Sequence, residues 1–204
     1  MGNYTVAVID FETTGLSPHY GDRTIEVGAV LISNNQIVDR FQSLMNPKMK
    51  ISSFIEEYTG ITNKMLSKAP DINDVMKKLK SFISNHHLVA HNASFDSRFL
   101  DAELDRINHK RKNEFACSML ISRRVYQDAP NHKLETLVRY KNLKTDGIHH
   151  RALADAEMTA HLWLRIIQDI KANYCRNDVP FGLMQRLGKT PKKKVHQFLT
   201  MAGQ

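Results

Sequence analysis

Two acidic residues, Asp10 and Glu12, stand two positions apart at the end of an apolar, β-branched run that begins at Tyr4. In an extended strand such residues point to the same face, so the two carboxylates would emerge side by side. The next cation in the chain is Arg23, and two anions beside an apolar sheet are costly unless a counter-charge neutralises them. We therefore predict a bound cation here. The alternative is that the chain has already turned into a solvated loop, where acidic residues are ordinary.

A third acidic residue, Asp96, lies in the segment HNASFD, where a predicted strand runs into a predicted helix. A strand end is where mixed α/β sheets present functional side chains, and His91 and Asn92 bring further polar groups to the same edge. Each of the three also has a purely structural interpretation. Asp96 suits the first turn of a helix, His91 suits a hydrogen-bonded core position, and Asn92 suits a helix cap.

A fourth acidic residue, Asp155, falls on a predicted long helix in one stripe with Thr159 and Leu162, at offsets of four and seven. That spacing turns the carboxylate toward the core, where it needs a partner. His150 precedes it by five residues, and from a loop just before the helix it would reach the same site. On the residues alone, the neighbouring His149 is an equal candidate.

The segments between these residues predict a mixed α/β domain. Apolar runs and alternation indicate strands at 4–10, 24–32, 36–45, 87–91 and 115–117, the first three forming an antiparallel meander. Helical periodicity indicates helices at 71–84, 94–107, 134–140 and 151–174, the first of them capped by Asp71. The prediction is thus a five-stranded mixed sheet flanked by helices.

The bulk composition fits one globular domain, predicted as residues 1–174, with a basic tail at 175–204 that includes candidate short helices. Residues 171–204 hold seven basic residues and one acidic residue, a net charge of +6 out of +8 for the chain, which favours a polyanionic partner such as nucleic acid. The two cysteines, Cys117 and Cys175, suggest neither a disulfide framework nor a zinc site. We expect a cytoplasmic protein, because no apolar stretch approaches the length of a membrane span.

Three segments together resemble a known family: VIDFETTGL, VAHNASFD and HRALADAEMTAHLW. In this order they are similar to the exonuclease motifs of the DnaQ-like, or DEDDh, superfamily, which includes polymerase proofreading subunits, exonuclease X, RNase T and oligoribonuclease. The resemblance covers residues 4–170 and implies a ribonuclease H-like fold. In the DEDDh branch the third motif is His, four residues, then Asp, which His150 and Asp155 satisfy and His149 does not. The Tyr-containing branch would need Tyr where this chain has Arg151.

The resemblance implies a 3′→5′ exonuclease in which Asp10, Glu12, Asp96 and Asp155 hold two divalent cations and His150 is the general base. Ligands that are all carboxylates favour Mg²⁺ or Mn²⁺, and an imidazole with a pKa near ~6.5 is mostly neutral at physiological pH. The products would be nucleoside 5′-monophosphates. Contacts to the terminal nucleotide are predicted for six residues: Thr13, Thr14, Leu16, His91, Asn92 and Phe95.

Several alternatives stay open. The favoured substrate is the 3′ end of single-stranded or frayed DNA, but an exoribonuclease of the RNase T or oligoribonuclease type would use the same metals. A docking module with a vestigial active site and a phosphohydrolase of small nucleotides are further candidates. The tail offers two roles: its apolar segments would dock on a polymerase or another protein, or the run KTPKKK would follow a nucleic-acid backbone.

Overall fold

The computed structural model describes residues 4–143 and 151–201. Its strands are β1 (Val6–Thr13), β2 (Thr24–Ser33), β3 (Gln36–Leu44), β4 (His87–Ala90) and β5 (Phe115–Cys117). The helices of the first half are α1 (Ser53–Thr59), α2 (Asn63–Leu66), α3 (Ile72–Ile83) and α4 (Ala93–Arg106). Those of the second half are α5 (Ser118–Val125), α6 (Leu134–Tyr140), α7 (Ala152–Asn173), α8 (Phe181–Lys189) and α9 (Val195–Met201).

The five strands form one sheet in the order β3-β2-β1-β4-β5. The pairs β1/β2 and β2/β3 are antiparallel, whereas β1/β4 and β4/β5 are parallel. The predicted mixed sheet with an initial antiparallel meander is therefore confirmed. β1 is the central strand, so groups at its carboxyl end lie in the middle of one sheet edge.

Alternating residues of β1 and β2 divide between two apolar cores, one on each face of the sheet. Val6 and Val8 of β1, with Val30 of β2, belong to the core that α7 covers. Ala7 and Ile9 belong to the core formed with α3 and α4. Since residues two apart in a strand share a face, Asp10 and Glu12 continue the row that faces α7.

The sequence prediction missed some local structure. β1 continues to Thr13, so the interpretation that the chain leaves the strand before the acidic pair is wrong. The short helix α1, which the sequence analysis left unassigned, begins after Ser52, whose hydroxyl accepts a hydrogen bond from Ile55 N–H at 3.4 Å. It ends at Gly60, where the backbone takes φ 69°, a conformation that glycine adopts without strain.

The chain after α7 continues as α8 and α9, which pack on the same core as α7. Phe181, Leu187, Val195 and Leu199 are all buried in it. The three consecutive lysines at 192–194 form a 3₁₀ turn and are exposed. A division of the chain at residue 174 stays a prediction. Within the described residues, the helices are too short or too polar to span a bilayer.

Candidate active site

The central strand delivers the first two carboxylates. Asp10 pairs in register with Gly28 of β2, and Glu12 pairs with Glu26. The register shifts between Glu12 and Thr13, a β-bulge of the kind that redirects side chains next to active sites. Asp10 is half-buried and Glu12 is only 9% exposed. Both acids lie within β1 rather than in a solvated loop.

Helix α7 brings the third carboxylate to the same place. Asp155 lies one turn into α7 and is half-buried, and on the same helix Thr159 and Leu162 are buried, as their shared stripe predicted. One carboxylate oxygen from each of Asp10, Glu12 and Asp155 lies within 4.8 Å of the other two. Three hard oxygen donors this close fit a divalent cation such as Mg²⁺ or Mn²⁺.

The fourth carboxylate reaches the site from the opposite face of the sheet. Asp96 is in the first turn of α4, just past the carboxyl end of β4, and is 2% exposed. It lines the same cleft as the other three acids. Burial raises the pKa of Asp96 to about 7, although hydrogen bonds from its own backbone N–H and from that of Phe11 act in the opposite direction.

The clustered charges disfavour full ionisation. Burial, followed by the negative charges of Asp96 and Asp155, raises the pKa of Asp10 well above its usual range. Burial, followed by the charges of Asp155 and Glu26, raises the pKa of Glu12 to about 8. Like charges in a poorly solvated site disfavour the ionised form of each acid. A bound cation would remove this penalty, because it supplies the missing counter-charge.

An open cleft of about 810 Å³ lies over the carboxylates. Its rim carries three exposed apolar side chains: Leu16 is 79% exposed, Phe54 68% and Tyr58 52%. The rings of Phe54 and Tyr58 are stacked, with centroids 6.0 Å apart and planes 12° apart. Neither aromatic residue is among the contacts predicted from the sequence, because α1 shows no clear helical periodicity. An aromatic pair spaced i, i+4 between a cap serine and a glycine was the available signal.

The other predicted substrate contacts lie in or beside this cleft, but several already have partners within the protein. The Thr13 hydroxyl donates to Gly15 O at 2.6 Å, and Thr14 Oγ1 accepts from Arg23 N–H at 3.0 Å. Phe95 is half-buried, with its ring centroid 4.9 Å from that of Phe99.

His91 and Asn92, which follow β4, have different environments. The two ring nitrogens of His91 lie 2.9 Å from Ser118 Oγ and from His132 O, and burial lowers the pKa of His91 to about 4. This is the environment of a neutral, hydrogen-bonded histidine in the wall of the cleft. Asn92 is exposed at the cleft with φ 74°, before the first residue of α4. His149 and His150 lie outside the described residues, so the general base stays a prediction.

A further buried acid, Glu26, was not singled out from the sequence. It is fully buried and pairs with Arg151, whose Nη2 lies 2.7 Å from Oε1. Its charge also contributes to the raised pKa values of Asp10 and Glu12. The available signal was a charged residue at a core-facing position of an otherwise apolar strand.

Comparison with known proteins gives concordant matches. A protein-family model, RNase_T, described as an exonuclease, matches residues 7–163. PolC-type DNA polymerase III of Caldanaerobacter subterraneus subsp. tengcongensis is 40% identical over 164 residues, which cover 80% of this chain and 12% of the polymerase. The polymerase of the same type from Bacillus subtilis is 40% identical over 167 residues, covering 81% and 12%. The chain thus spans about 12% of the length of these relatives.

Solved structures share the fold. Exonuclease X in complex with 5′ overhanging duplex DNA superimposes with a TM-score of 0.71 at 27% identity, over 90% of this chain and 99% of that one. The nuclease domain of 3′hExo, a DEDDh family member bound to rAMP, gives a TM-score of 0.70 over 82% of this chain and 94% of that one. Its sequence identity is 24%, so this second likeness concerns the fold alone.

Proposed function

The chain belongs to the RNase_T exonuclease family, and from that membership we propose that it is a metal-dependent 3′→5′ exonuclease that shortens DNA to nucleoside 5′-monophosphates. The observation that carries the proposal is the convergence of Asp10, Glu12 and Asp155 within 4.8 Å, with Asp96 lining the same cleft. The relatives at 40% identity are named DNA polymerases, which supports DNA as the substrate.

The four carboxylates would hold two divalent cations, Mg²⁺ or Mn²⁺. Bound cations would supply charge neutralisation at the scissile phosphate and activation of the attacking water. The protein's own contribution is to keep Glu12 and Asp96 poorly solvated and fixed, since preorganised charges in a dry site act more strongly than in water. His150, one residue before the N-cap of α7, is proposed to accept the proton of the attacking water.

The rim of the cleft would orient the terminal nucleotides. Leu16, Phe54 and Tyr58 are exposed beside the carboxylates, and bases stack on exposed aromatic rings without regard to sequence. Tyr58 is near enough for Glu12, Asp155 and Asp10 to raise the pKa of its hydroxyl, after the effect of burial. This arrangement supports an unpaired strand end as the preferred substrate.

The tail is proposed to contact nucleic acid through its lysines. The apolar residues of α8 and α9 are largely buried on the domain itself, whereas the lysines at 192–194 are exposed. Docking on a protein would need apolar side chains that are already buried, whereas contact with a phosphate backbone would use the exposed lysines. The second role is therefore favoured for the tail. The proposal that a polymerase is a protein partner depends on the relatives, which are named as DNA polymerases.

A gel assay with 5′-labelled substrates tests the proposal. Single-stranded DNA, duplex DNA and RNA are offered with Mg²⁺ or Mn²⁺ to the wild type, Asp10→Ala and His150→Ala. We expect a ladder of stepwise shorter products from DNA, near-complete loss in Asp10→Ala, and a loss of about 100-fold or more in His150→Ala with metal binding retained. Fragments from internal cleavage would refute the exonuclease proposal, and faster shortening of RNA would refute the substrate.

A further inference from the structure

The first turn of α7 is capped by a residue from a different element. Its N-cap residue, Arg151, makes no side-chain capping bond. Instead the buried carboxylate of Glu26 on β2 caps the helix: Ala152 N–H donates a hydrogen bond to Glu26 Oε2, at 3.1 Å. The N–H groups of a first turn have no partner within the helix and favour a nearby anion. Glu26 therefore fixes the start of α7 directly on the sheet.

The Arg151 side chain completes this attachment. Its Nε and Nη2 both donate to Glu26, at distances between 2.7 and 3.2 Å. Gln42 of β3 donates to the same carboxylate at 3.0 Å. Glu26 thus joins β2, β3 and the start of α7 through one fully buried group.

A close backbone contact lies beside the ion pair. A Cβ atom added at Gly28 would come within 2.2 Å of the Ala152 carbonyl carbon and of Leu153 N. Only glycine allows this approach. The first turn of α7 consequently rests on the backbone of β2 at the residue that pairs with Asp10.

These contacts are one turn away from a predicted metal ligand. Asp155 N–H donates to the carbonyl oxygen of Arg151 at 3.0 Å, so fixing Arg151 fixes the backbone of Asp155. Glu26 is directly opposite Glu12 in the sheet. The same short region of β2 therefore sets the distance between the acids of β1 and the acid of α7.

We propose that Glu26 and Arg151, here called the α7 clamp, are positioning residues that hold Asp155 within metal-binding distance of Asp10 and Glu12. A buried ion pair is seldom the most stabilising solution, since well-packed apolar residues of similar volume are often as good. What the charged pair adds is a directional attachment, which a site assembled from separate segments requires. The inference rests on the proposed metal-dependent function.

The test compares Glu26→Gln and Arg151→Met with Asp169→Asn. Asp169 is on the same helix, where it binds Tyr126 and Arg165 at 2.8 Å each. It lies 14 residues beyond Asp155, or roughly 21 Å along the axis at 1.5 Å per residue. For each protein, Mn²⁺ affinity is measured by calorimetry without substrate, together with kcat, KM and Tm.

We expect both clamp variants to bind Mn²⁺ about 10–100-fold more weakly and to lose kcat by a similar factor, with KM little changed. Asp169→Asn should have a lower Tm than the wild type and an unchanged Mn²⁺ affinity. The kcat of the double variant should be no lower than that of the more impaired single variant, because both changes release the same attachment. Arg151 is partly exposed, so Arg151→Met decides the question if Glu26→Gln does not fold.

Three results would overturn the clamp. Wild-type Mn²⁺ affinity in both clamp variants, despite a lowered Tm, would make the pair merely structural. A rise in KM for Arg151→Met, with Glu26→Gln unaffected, would assign Arg151 to substrate binding instead. An equal loss of Mn²⁺ affinity in Asp169→Asn would show that general destabilisation is responsible. If the wild type binds Mn²⁺ but shortens no nucleic acid, the proposed function fails while the Mn²⁺ comparison still tests the clamp.

Discussion

Removing divalent cations should turn the burial and mutual repulsion of the carboxylates into a loss of stability as the pH rises. Burial and neighbouring charge raise the pKa of Glu12 to about 8, and burial raises that of Asp96 to about 7. In the unfolded chain both acids titrate near pH 4. Between these limits the folded protein holds more protons than the unfolded chain, and its stability therefore falls with increasing pH. Above the folded-state pKa values the loss is complete.

The magnitude follows from the number of extra protons. One extra bound proton gives a slope of about 1.4 kcal/mol per pH unit, hence about 2 kcal/mol between pH 6.5 and 8. For a domain of this size that corresponds to a Tm decrease of roughly 4–8 °C. The lower limit of pH 6.5 matters because burial lowers the pKa of His91 to about 4. His91 therefore adds stability as the pH rises toward its unfolded value near ~6.5, opposite in sign to the acids.

The assay is thermal unfolding in EDTA and in Mn²⁺, from pH 6.5 to 8, for the wild type and Asp10→Asn. The substitution removes one ionisable carboxyl group at nearly constant volume, and His91 is common to both proteins. We expect Asp10→Asn in EDTA to be more stable than the wild type at pH 8, with a shallower slope. Saturating Mn²⁺ should reverse the order, since a cation at 100 times its Kd adds about 2.7 kcal/mol to the protein that binds it.

Glu103→Gln provides a control with a different buried carboxylate. Glu103 is fully buried and accepts two hydrogen bonds from Arg23, at 2.9 and 3.0 Å. Its loss should destabilise the protein in both buffers and leave the gain from Mn²⁺ intact. Two results would refute the raised carboxyl pKa values. One is a constant Tm of the wild type in EDTA from pH 6.5 to 8. The other is a lower stability of Asp10→Asn than of the wild type over that whole pH range.

Four further variants have defined outcomes. Replacing the lysines at 192–194 with glutamine should flatten the slope of log affinity for single-stranded DNA against log salt by about 2, measured by fluorescence anisotropy; an unchanged slope rejects the contact. Phe54→Ala and Tyr58→Ala should each raise KM on single-stranded DNA by about 5–150-fold with kcat nearly constant, because a stacked base contributes roughly 1–3 kcal/mol. Phe181→Ala should lower the free energy of unfolding by about 3–5 kcal/mol in urea titrations, since Phe181 is 3% exposed and stacks on His87 at 4.0 Å.

The elements that the sequence predicted are those in which pattern and burial coincide. β1 and β2 are long apolar runs buried on both faces, and α3 repeats its apolar residues at helical spacing with Asp71 as cap. α1 lacks such a pattern, because most of its seven residues are exposed or half-buried. Its formation depends on local caps and on its position over the cleft. Neither of these is visible in hydrophobic periodicity.

The acids of the site also differ in how far sequence pattern predicts their positions. That Asp10 and Glu12 share a face follows from strand geometry alone. The approach of Asp96 does not, because α4 packs on the opposite face of the sheet from α7 and Asp96 reaches the others only past the end of β4. No spacing in the sequence encodes that path. Motif order and the family resemblance supplied it instead.

Glu26 shows how much of such a site the amino-acid sequence indicates and which part requires the fold. An acid and a glycine two residues apart, at 26 and 28, interrupt an apolar strand on its core-facing row. The acid requires a buried partner, and the glycine marks a close approach of another backbone. Both features indicate that some element docks on β2 at this point. Only the fold identifies it as the first turn of α7, and that identity makes a structural ion pair relevant to the distance between the proposed metal ligands.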